Sequence, residues 1–258
     1  MVVWDAGVVS GSLRWLGQAG FIMETPDVRV GVDLFLRADP RLRPPFQHPD
    51  QLGPLDAVLA THEHHDHLDA FTVVTLQQRL PELRVIVPEP VTALASELGI
   101  LGVEGARVGV PIAVGDITIT PIRALHAVHM DEGYHFGDPE GRFLGYIFDV
   151  GGVRVYHSGD TVMYPGLSAA LRDFQVTILC CPINGRSFHR ESADLVGNFT
   201  PEEAVELARE VGAAALIPMH FETYPNNLGD VGQAADLAYK AGVTFVLPRY
   251  GQAVPLLW

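Results

Sequence analysis

Cysteine is scarce in this sequence, and its shortage excludes a fold that depends on disulfide bonds. The two cysteines, Cys180 and Cys181, are neighbours in the apolar run Val176–Cys181. Adjacent residues of a strand point to opposite faces of its sheet, so both are predicted to be reduced thiols of one buried strand. We assign no function to either of them.

Basic residues and long apolar runs are also in short supply. Lysine and arginine number 17 against 31 aspartates and glutamates, which gives a formal net charge of −14. Nucleic-acid binding draws much of its affinity from basic contacts to phosphates, so no nucleic-acid partner is expected. No apolar run reaches about 18 residues, the length that suggests a membrane helix, and Met1–Asp5 does not begin like a secretion signal. A cytoplasmic protein without a membrane partner is predicted.

Strand-like and helix-like patterns alternate along the chain without a linker between them. Hydrophobic residues make up 48% of the 258 residues, enough for a globular protein with a large core. The alternation predicts the α/β fold class. We expect one domain over residues 1–258.

A cluster of metal-binding side chains follows an apolar run that is typical of a buried strand. The segment Thr61–His67 holds four histidines and two carboxylates within six positions. Imidazole and carboxylate together suit the metal ions of hydrolytic sites. In a turn that leaves a strand, His62 and His64 can converge on one ion while Asp66 and His67 face a neighbouring position. The alternative is a solvated, histidine-rich loop that binds metal only adventitiously.

Three further candidate ligands each follow a strand-like run later in the chain. They are His126, Asp160 and His220. A solvated histidine-rich loop would need no such distant partners. His129 and His135 are rivals of His126, but they lie in a polar loop rather than after a strand. The sequence therefore favours a built metal site.

The order of these residues resembles the signature of the metallo-β-lactamase superfamily. The resemblance implies a four-layer αββα sandwich, in which two mixed sheets pack face to face with helices outside. It also implies two divalent metal ions, and nitrogen and oxygen ligands without thiolate admit Zn²⁺ or Mn²⁺, with Fe²⁺ as a further choice. The seven ligand positions fall on His62, His64, Asp66, His67, His126, Asp160 and His220.

The same resemblance distributes the ligands and implies a mechanism. A hydroxide between the two ions would attack the substrate, and Asp66, or else Asp160, is expected to accept a proton as the reaction proceeds. One ion would take His62, His64 and His126, the other Asp66, His67 and His220, and Asp160 would bridge them.

Several segments resemble a narrower branch, the L-ascorbate-6-phosphate lactonase-like proteins. The branch implies a hydrolase that opens an anionic, sugar-derived lactone. The matching segments are Gly145–Tyr146, Tyr156–Thr161, Cys181–Arg186, Gly197–Thr200 and Ile217–Phe221.

An Asn-Gly-Arg turn is the candidate site for the negative charge of such a small-molecule substrate. Asn184 and Arg186 would supply an amide and a guanidinium fork of the kind that binds phosphate or carboxylate. The alternative is that Arg186 pairs with one of the many surface acids.

Two other functions fit the same residues. A phosphodiesterase would use the metal pair equally well, because two metal ions also stabilise phosphoryl transfer. A catalytically silent protein that senses a ligand or scaffolds an assembly is the third hypothesis, and the complete ligand set argues against it. A homo-oligomer is compatible with each of the three.

Two more residues are candidates for orienting the ligands. Asp33 would hold a ligand histidine in place, or it would serve as an ordinary turn or cap residue. His157 is either a core histidine or a hydrogen-bond partner of the ligands. Glu63 and His65 are expected to point away from the metals.

Local signals mark several elements of secondary structure. Asp69 is predicted to cap a helix that ends at Leu80, and Thr200 is predicted to cap another helix. Gly151 and Gly152 are expected to join the strands of a hairpin. The run Thr244–Leu247 is predicted to be the last strand.

Overall fold

The computed structural model describes residues 11–37 and 47–256, and two β-sheets form its centre. Thirteen strands are present in this part of the chain. They are β1 (Ser12–Trp15), β2 (Phe21–Glu24), β3 (Arg29–Val32), β4 (Ala57–Leu59), β5 (Arg84–Pro88), β6 (Val103–Ala106), β7 (Ile112–Val114), β8 (Ile117–Arg123), β9 (Leu144–Val150), β10 (Val153–His157), β11 (Ile178–Pro182), β12 (Ala215–Met219) and β13 (Ala253–Pro255).

Both sheets are mixed. The first has the order β13-β1-β2-β3-β4-β5-β6, antiparallel as far as β3 and parallel from β3 to β6. The second has the order β12-β11-β10-β9-β8-β7, with parallel pairs from β12 to β10 and antiparallel pairs beyond. The predicted hairpin is confirmed, because β9 and β10 pair through the turn at Gly151 and Gly152.

Six α-helices lie among the described residues, and none of them is long and apolar enough to cross a bilayer. Two predicted caps are confirmed: the Asp69 carboxylate accepts a hydrogen bond from the Thr72 backbone N–H, and Thr200 forms a capping box with Glu203. The helices are α1 (Ala70–Arg79), α2 (Thr92–Glu97), α3 (Leu167–Asp173), α4 (Phe188–Glu191), α5 (Pro201–Val211) and α6 (Val231–Ala241).

The buried core is divided by the first sheet. The larger part joins the two sheets through side chains such as Phe21 and Phe148 and continues beneath α3, α5 and α6. The smaller part packs α1 and α2 on the other face of the first sheet, around Leu76 and Ala95. Each fully buried side chain as large as leucine or phenylalanine contributes roughly 1.5–3 kcal/mol, so the sheets form a rigid support. This arrangement confirms the four-layer αββα sandwich and the α/β class.

The C-terminal part of the chain differs from the prediction. Thr244–Leu247 does not form a strand, since the segment makes only an isolated bridge between Phe245 and Leu216. The last strand is β13, which extends the first sheet beside β1. The apolar run alone could not reveal this, because the choice of strand partner is decided by packing across the whole chain.

Candidate metal centre

The ends of four strands bring the predicted metal ligands together. The turn at residues 61–67 follows β4 of the first sheet, and His126, Asp160 and His220 follow β8, β10 and β12 of the second. Strands β8, β10 and β12 run in the same direction. Both β8 and β10 are antiparallel to β9, and β12 is parallel to β10 because each of them pairs in parallel with β11. Their carboxyl ends therefore lie at one edge, where the 61–67 turn meets them.

The first group of ligands consists of His62, His64, His126 and Asp160. One donor atom from each residue lies within 4.8 Å of the donor atoms of the others. His64 Nδ1 is 2.8 Å from His62 Nε2 and 3.4 Å from His126 Nε2. Asp160 Oδ2 is 3.8 Å from His126 Nε2. Four donors thus surround one position.

The second group consists of Asp66, His67 and His220, whose donor atoms also lie within 4.8 Å of one another. His220 Nε2 is 3.4 Å from Asp66 Oδ2, and His67 Nε2 is 3.9 Å from the same oxygen. Asp160 contacts this group as well, with Oδ1 at 3.4 Å from His67 Nε2 and Oδ2 at 3.4 Å from His220 Nε2. The structure therefore brings all seven predicted ligands together and places Asp160 between the two groups.

The other ring nitrogen of three ligand histidines is held by a partner. His64 Nε2 is 3.1 Å from the carbonyl oxygen of Val128, and His62 Nδ1 is 3.0 Å from Thr61 Oγ1. His67 Nδ1 is 2.7 Å from Asp33 Oδ2. A partner on one nitrogen fixes the proton there and leaves the other nitrogen free to bind a cation.

Asp33 is fully buried and organises these contacts. Its Oδ1 accepts a hydrogen bond from the backbone N–H of Thr61, and its Oδ2 accepts from Thr61 Oγ1 and His67 Nδ1. The residue has a φ of +49°, a left-handed conformation that costs about 1–2 kcal/mol in most side-chain types and less in aspartate. Gln18 and His220 share this conformation, so backbone strain is concentrated at the centre.

Burial and nearby charge act differently on the histidines of the two groups. Burial lowers the pKa of His62 well below its usual value, and the neighbouring histidines lower it further. Burial also lowers the pKa of His126 to about 3, against the opposing attraction of Asp160. For His67, burial is outweighed by the carboxylates of Asp160 and Asp33, which raise its pKa well above the usual value. The lowered pKa values of His62 and His126 favour neutral imidazoles in the first group, whereas His67 in the second group is surrounded by the carboxylates of Asp160, Asp33 and Asp66.

The donor atoms fit divalent metal ions. His67 Nε2 and Asp160 Oδ1 are buried without a hydrogen-bond partner in the described part of the chain. Buried polar atoms are nearly always paired in proteins, so such atoms indicate that another species binds them. Nitrogen and oxygen donors without thiolate suit Zn²⁺, Mn²⁺ and Fe²⁺. Which ion is bound, and whether both groups bind one, stay predictions.

Comparison with known proteins agrees with this centre. The pattern of the Beta-lactamase superfamily domain matches residues 26–221, a range that contains all seven ligands. The chain belongs to the metallo-β-lactamase superfamily. Within the superfamily, a UPF0173 protein of Pyrococcus furiosus is 32% identical over 212 residues, which are 81% of this chain and 83% of the relative.

Several similar proteins are named as hydrolases. A UPF0173 metal-dependent hydrolase of Carboxydothermus hydrogenoformans is 28% identical over 246 residues, covering 95% of this chain and 99% of the relative. The metallo hydrolase Igni18 of Ignicoccus hospitalis has the same fold, with a TM-score of 0.75, 20% identity and coverage of 96% and 99%. An isothiocyanate hydrolase from Delia radicum gut bacteria has a TM-score of 0.71, 20% identity and coverage of 94% and 98%. The chain is thus a metal-dependent hydrolase of the UPF0173 family, and the ascorbate-6-phosphate lactonase-like branch stays a prediction.

A cavity of about 260 Å³ opens beside the candidate metal ligands of this metallo-β-lactamase superfamily protein. His65 belongs to neither ligand group, yet it lines this cavity, and its Nε2 lies 3.0 Å from the hydroxyl oxygen of Tyr224. Tyr224 was not identified from the sequence. Neither was Gln18, whose side chain contacts the two ligands Asp66 and His220. Glycines on both sides of Ala19 and Gln18 could have indicated a turn there, but no local signal indicates its contacts.

His157 and Asn184 lie close to the centre without contacting a ligand directly. His157 is buried, and its ring bonds to the carbonyl oxygen of Ala19 and the backbone N–H of Gly159. It thereby holds the turn that carries Asp160, as a core histidine between the two sheets. Asn184 is also buried and donates to Asn227, a residue of the cavity wall.

Arg186 is not among the described residues that line the cavity, and its role in substrate binding stays a prediction. Its Nη1 and Nη2 donate to the two carboxylate oxygens of Glu203 at 2.6 Å each, and Nη1 also donates to the carbonyl oxygen of Asn198. Glu203 belongs to the capping box of α5, so its carboxylate is fixed beside the guanidinium. The position of Arg186 thus agrees with the alternative interpretation of the sequence, in which this residue pairs with an acidic side chain.

Arg186→Ala is therefore expected to lower stability rather than substrate affinity. Burial raises the pKa of Glu203, but hydrogen bonds from Arg186 and Thr200 outweigh it and hold this pKa below its usual value. A depressed carboxylate pKa contributes stability at neutral pH that is lost as the pH falls through that pKa. We expect the variant to lose about 1 kcal/mol at pH 7 and the difference to shrink towards about pH 3. Urea unfolding at both pH values measures this, and an unchanged stability combined with a raised KM for anionic substrates would restore the anion-binding role.

Proposed function

We propose that this metal-dependent hydrolase opens a small lactone whose remaining part carries no charge. The lining of the cavity is the observation that carries the proposal. Apart from the metal ligands, the described lining combines apolar side chains, amides, a tyrosine, His65 and the carboxylate of Asp194, and it includes no lysine or arginine. The residues concerned are Val128, Leu195 and Val196 on the apolar side and Tyr224, Asn226 and Asn227 on the polar side.

A charged group of the substrate away from the metal ions would be favoured by a lysine or arginine beside it, and this cavity offers neither among its described residues. Arg186 is engaged by Glu203, and the further ionised group of the lining is the carboxylate of Asp194. Asp194 is itself held by His129 Nδ1 at 2.8 Å and by the backbone N–H of Met130, and its carboxylate offers no attraction to a phosphate or carboxylate tail. Asn226, Asn227 and Tyr224 are instead suited to hydrogen bonds with the hydroxyl or ring oxygens of an uncharged molecule.

The size of the cavity supports a small substrate. Its volume of about 260 Å³ lies below the roughly 300–1,000 Å³ of typical ligand pockets. The same fold occurs in a protein named isothiocyanate hydrolase, and isothiocyanates are likewise small and carry no obligatory charge. A compact lactone ring fits these limits better than a phosphorylated sugar does.

The side chains around the cavity suggest how the reaction proceeds. When bound, divalent cations supply Lewis-acid activation of water and of the substrate's carbonyl oxygen. Asp66 lies in the cavity wall beside His220, where it can accept a proton from the attacking water. It can return this proton to the ring oxygen of the lactone when the acyl–oxygen bond breaks. Val128 and Val196 contribute apolar surface to the cavity wall.

The test is proton release in a pH-stat with metal-reconstituted protein and three substrates. These are an uncharged γ-lactone, a phosphorylated sugar lactone and an aryl phosphodiester. We expect kcat/KM to be at least about ten-fold higher for the uncharged lactone than for either of the others, a difference of about 1.4 kcal/mol. Chelator-treated protein is the control for metal dependence.

Each alternative predicts a different result in this experiment. Preference for the phosphorylated lactone would support the anionic substrate inferred from the branch resemblance. Preference for the diester would make the protein a phosphodiesterase. Binding of the lactone without turnover in the metal-reconstituted protein would support the silent sensor or scaffold.

A further inference from the structure

Gln18 places an amide against two ligands of the second group. Its side chain is buried, with 2% of the residue exposed, and lies in the turn between β1 and β2. Gln18 Nε2 is 2.7 Å from Asp66 Oδ2 and 2.8 Å from His220 Nε2. The amide nitrogen carries two hydrogens, so it can donate one to the carboxylate and one to the imidazole when the ring proton of His220 is on Nδ1.

These distances indicate hydrogen bonds rather than a shared metal ion. Two ligands about 2.1 Å from one ion in tetrahedral geometry lie about 3.4 Å apart. The separation of Asp66 Oδ2 from His220 Nε2 is 3.4 Å, which suits joint binding of one ion. Both contacts of Gln18 are shorter and fall within the usual range of hydrogen bonds. Gln18 therefore interacts with the ligands as a donor and not as an additional ligand.

The backbone of Gln18 is fixed, so that only its side chain can move away. The residue has a φ of +49°, and its carbonyl oxygen accepts hydrogen bonds from Trp15 Nε1 and the backbone N–H of His220, each at 3.0 Å. These bonds tie the turn to the strand end that carries His220. A non-glycine residue held in this conformation is strained, as is common at functional sites.

We infer that Gln18 restricts the binding of a cation to the second group. Its amide uses the lone pairs of Asp66 and His220 that a cation would need, so the cation must displace two hydrogen bonds. In the first group, His62 Nε2 and His64 Nδ1 also lie only 2.8 Å apart, but both atoms belong to ligands of the same ion. No described residue outside the ligand set holds these atoms as Gln18 holds Asp66 and His220. The two groups therefore fill in sequence, the first tightly and the second more weakly.

Stepwise titration of metal-stripped protein with Mn²⁺ alone, followed by calorimetry, tests this inference without any substrate. We expect two separate steps in the unsubstituted protein. Gln18→Gly removes the amide and also suits the positive φ, so the turn is retained. It is expected to tighten the second step about ten-fold or more and to leave the first within about two-fold, since each displaced hydrogen bond contributes a modest net free energy. Gln18→Ala provides a second variant, and Gln78→Ala, on the exposed face of α1, is the matched control.

If Gln18 positions the ligands, its substitution should change the affinity of the second metal-binding step in the opposite direction. If the amide mainly orients Asp66 for the metal, both variants will weaken the second step, and our inference is then wrong. Two equal steps in the unsubstituted protein, or a second step that neither variant changes, would also overturn it. Metal content after equilibrium dialysis gives an independent count of the bound ions, and thermal unfolding checks that the variants remain folded.

Discussion

Asp66→Ala is expected to reduce kcat/KM for hydrolysis by about 10³-fold or more, equivalent to about 4 kcal/mol of transition-state stabilisation. Asp66 is both a candidate ligand and the buried carboxylate that faces the cavity beside His220. Its removal takes away one of the three donors of the second group together with the proposed proton acceptor. Steady-state hydrolysis of the best substrate in the panel measures the effect.

Glu63→Gln is the matched control for Asp66. Glu63 is a carboxylate of the same turn, but its partner is Arg142, and it lines neither the cavity nor a ligand group. We expect it to keep activity within about three-fold of the unsubstituted protein, as for a residue outside the chemistry. Similar losses in both variants would mean that the turn as a whole, and not the Asp66 carboxylate, supports hydrolysis.

Asp33→Asn is expected to preserve the fold and to weaken metal binding by the second group about 10–100-fold. Asparagine accepts a positive φ as aspartate does and can still accept the hydrogen bond from the Thr61 backbone. Its amide NH₂ would then face His67 Nδ1, where a carboxylate oxygen now accepts. The ring proton of His67 would move to Nε2, the nitrogen that faces Asp160, and this nitrogen could no longer bind a cation.

Asp33→Ala is expected to do more damage, because three buried donors lose their acceptor at once. Removing one partner of a buried charged pair costs about 3–5 kcal/mol, a large part of the stability of a domain. Denaturant unfolding and metal titration of both variants separate stability from metal affinity, with exposed Asp27→Asn as the control. Unchanged metal affinity in Asp33→Asn would show that Asp33 supports the fold alone.

The ligands could be read from the sequence because each has a local signal. His62, His64, Asp66 and His67 lie within one short turn after an apolar run, and the later ligands each follow a strand. Strand ends are recognisable from apolar runs, and parallel strands place such ends at one edge of a sheet. The layered fold followed from the family resemblance, since periodicity alone indicated only the α/β class.

The contacts of Gln18 and Arg186 could not be read in this way. Gln18 lies 48 residues from Asp66 and 202 residues from His220 in the sequence, so its contacts exist only after both sheets have packed. Arg186 has many acids within reach in an acidic protein, and the sequence cannot choose among them. In the structure, Arg186 pairs with Glu203, whose position is fixed by the start of α5.

The pairing of β13 with β1 has a consequence for the order in which the protein is completed during translation. Ser12 pairs with Pro255 and Arg14 with Ala253, so β1 lacks its outer neighbour until residues 253–255 have left the ribosome. The candidate ligands, of which His220 is the last along the chain, have all emerged by then. A nascent chain can therefore assemble its metal-binding groups while one sheet edge is still open to pairing with other chains. When β13 pairs with β1, it covers this edge and becomes the outer strand of the first sheet.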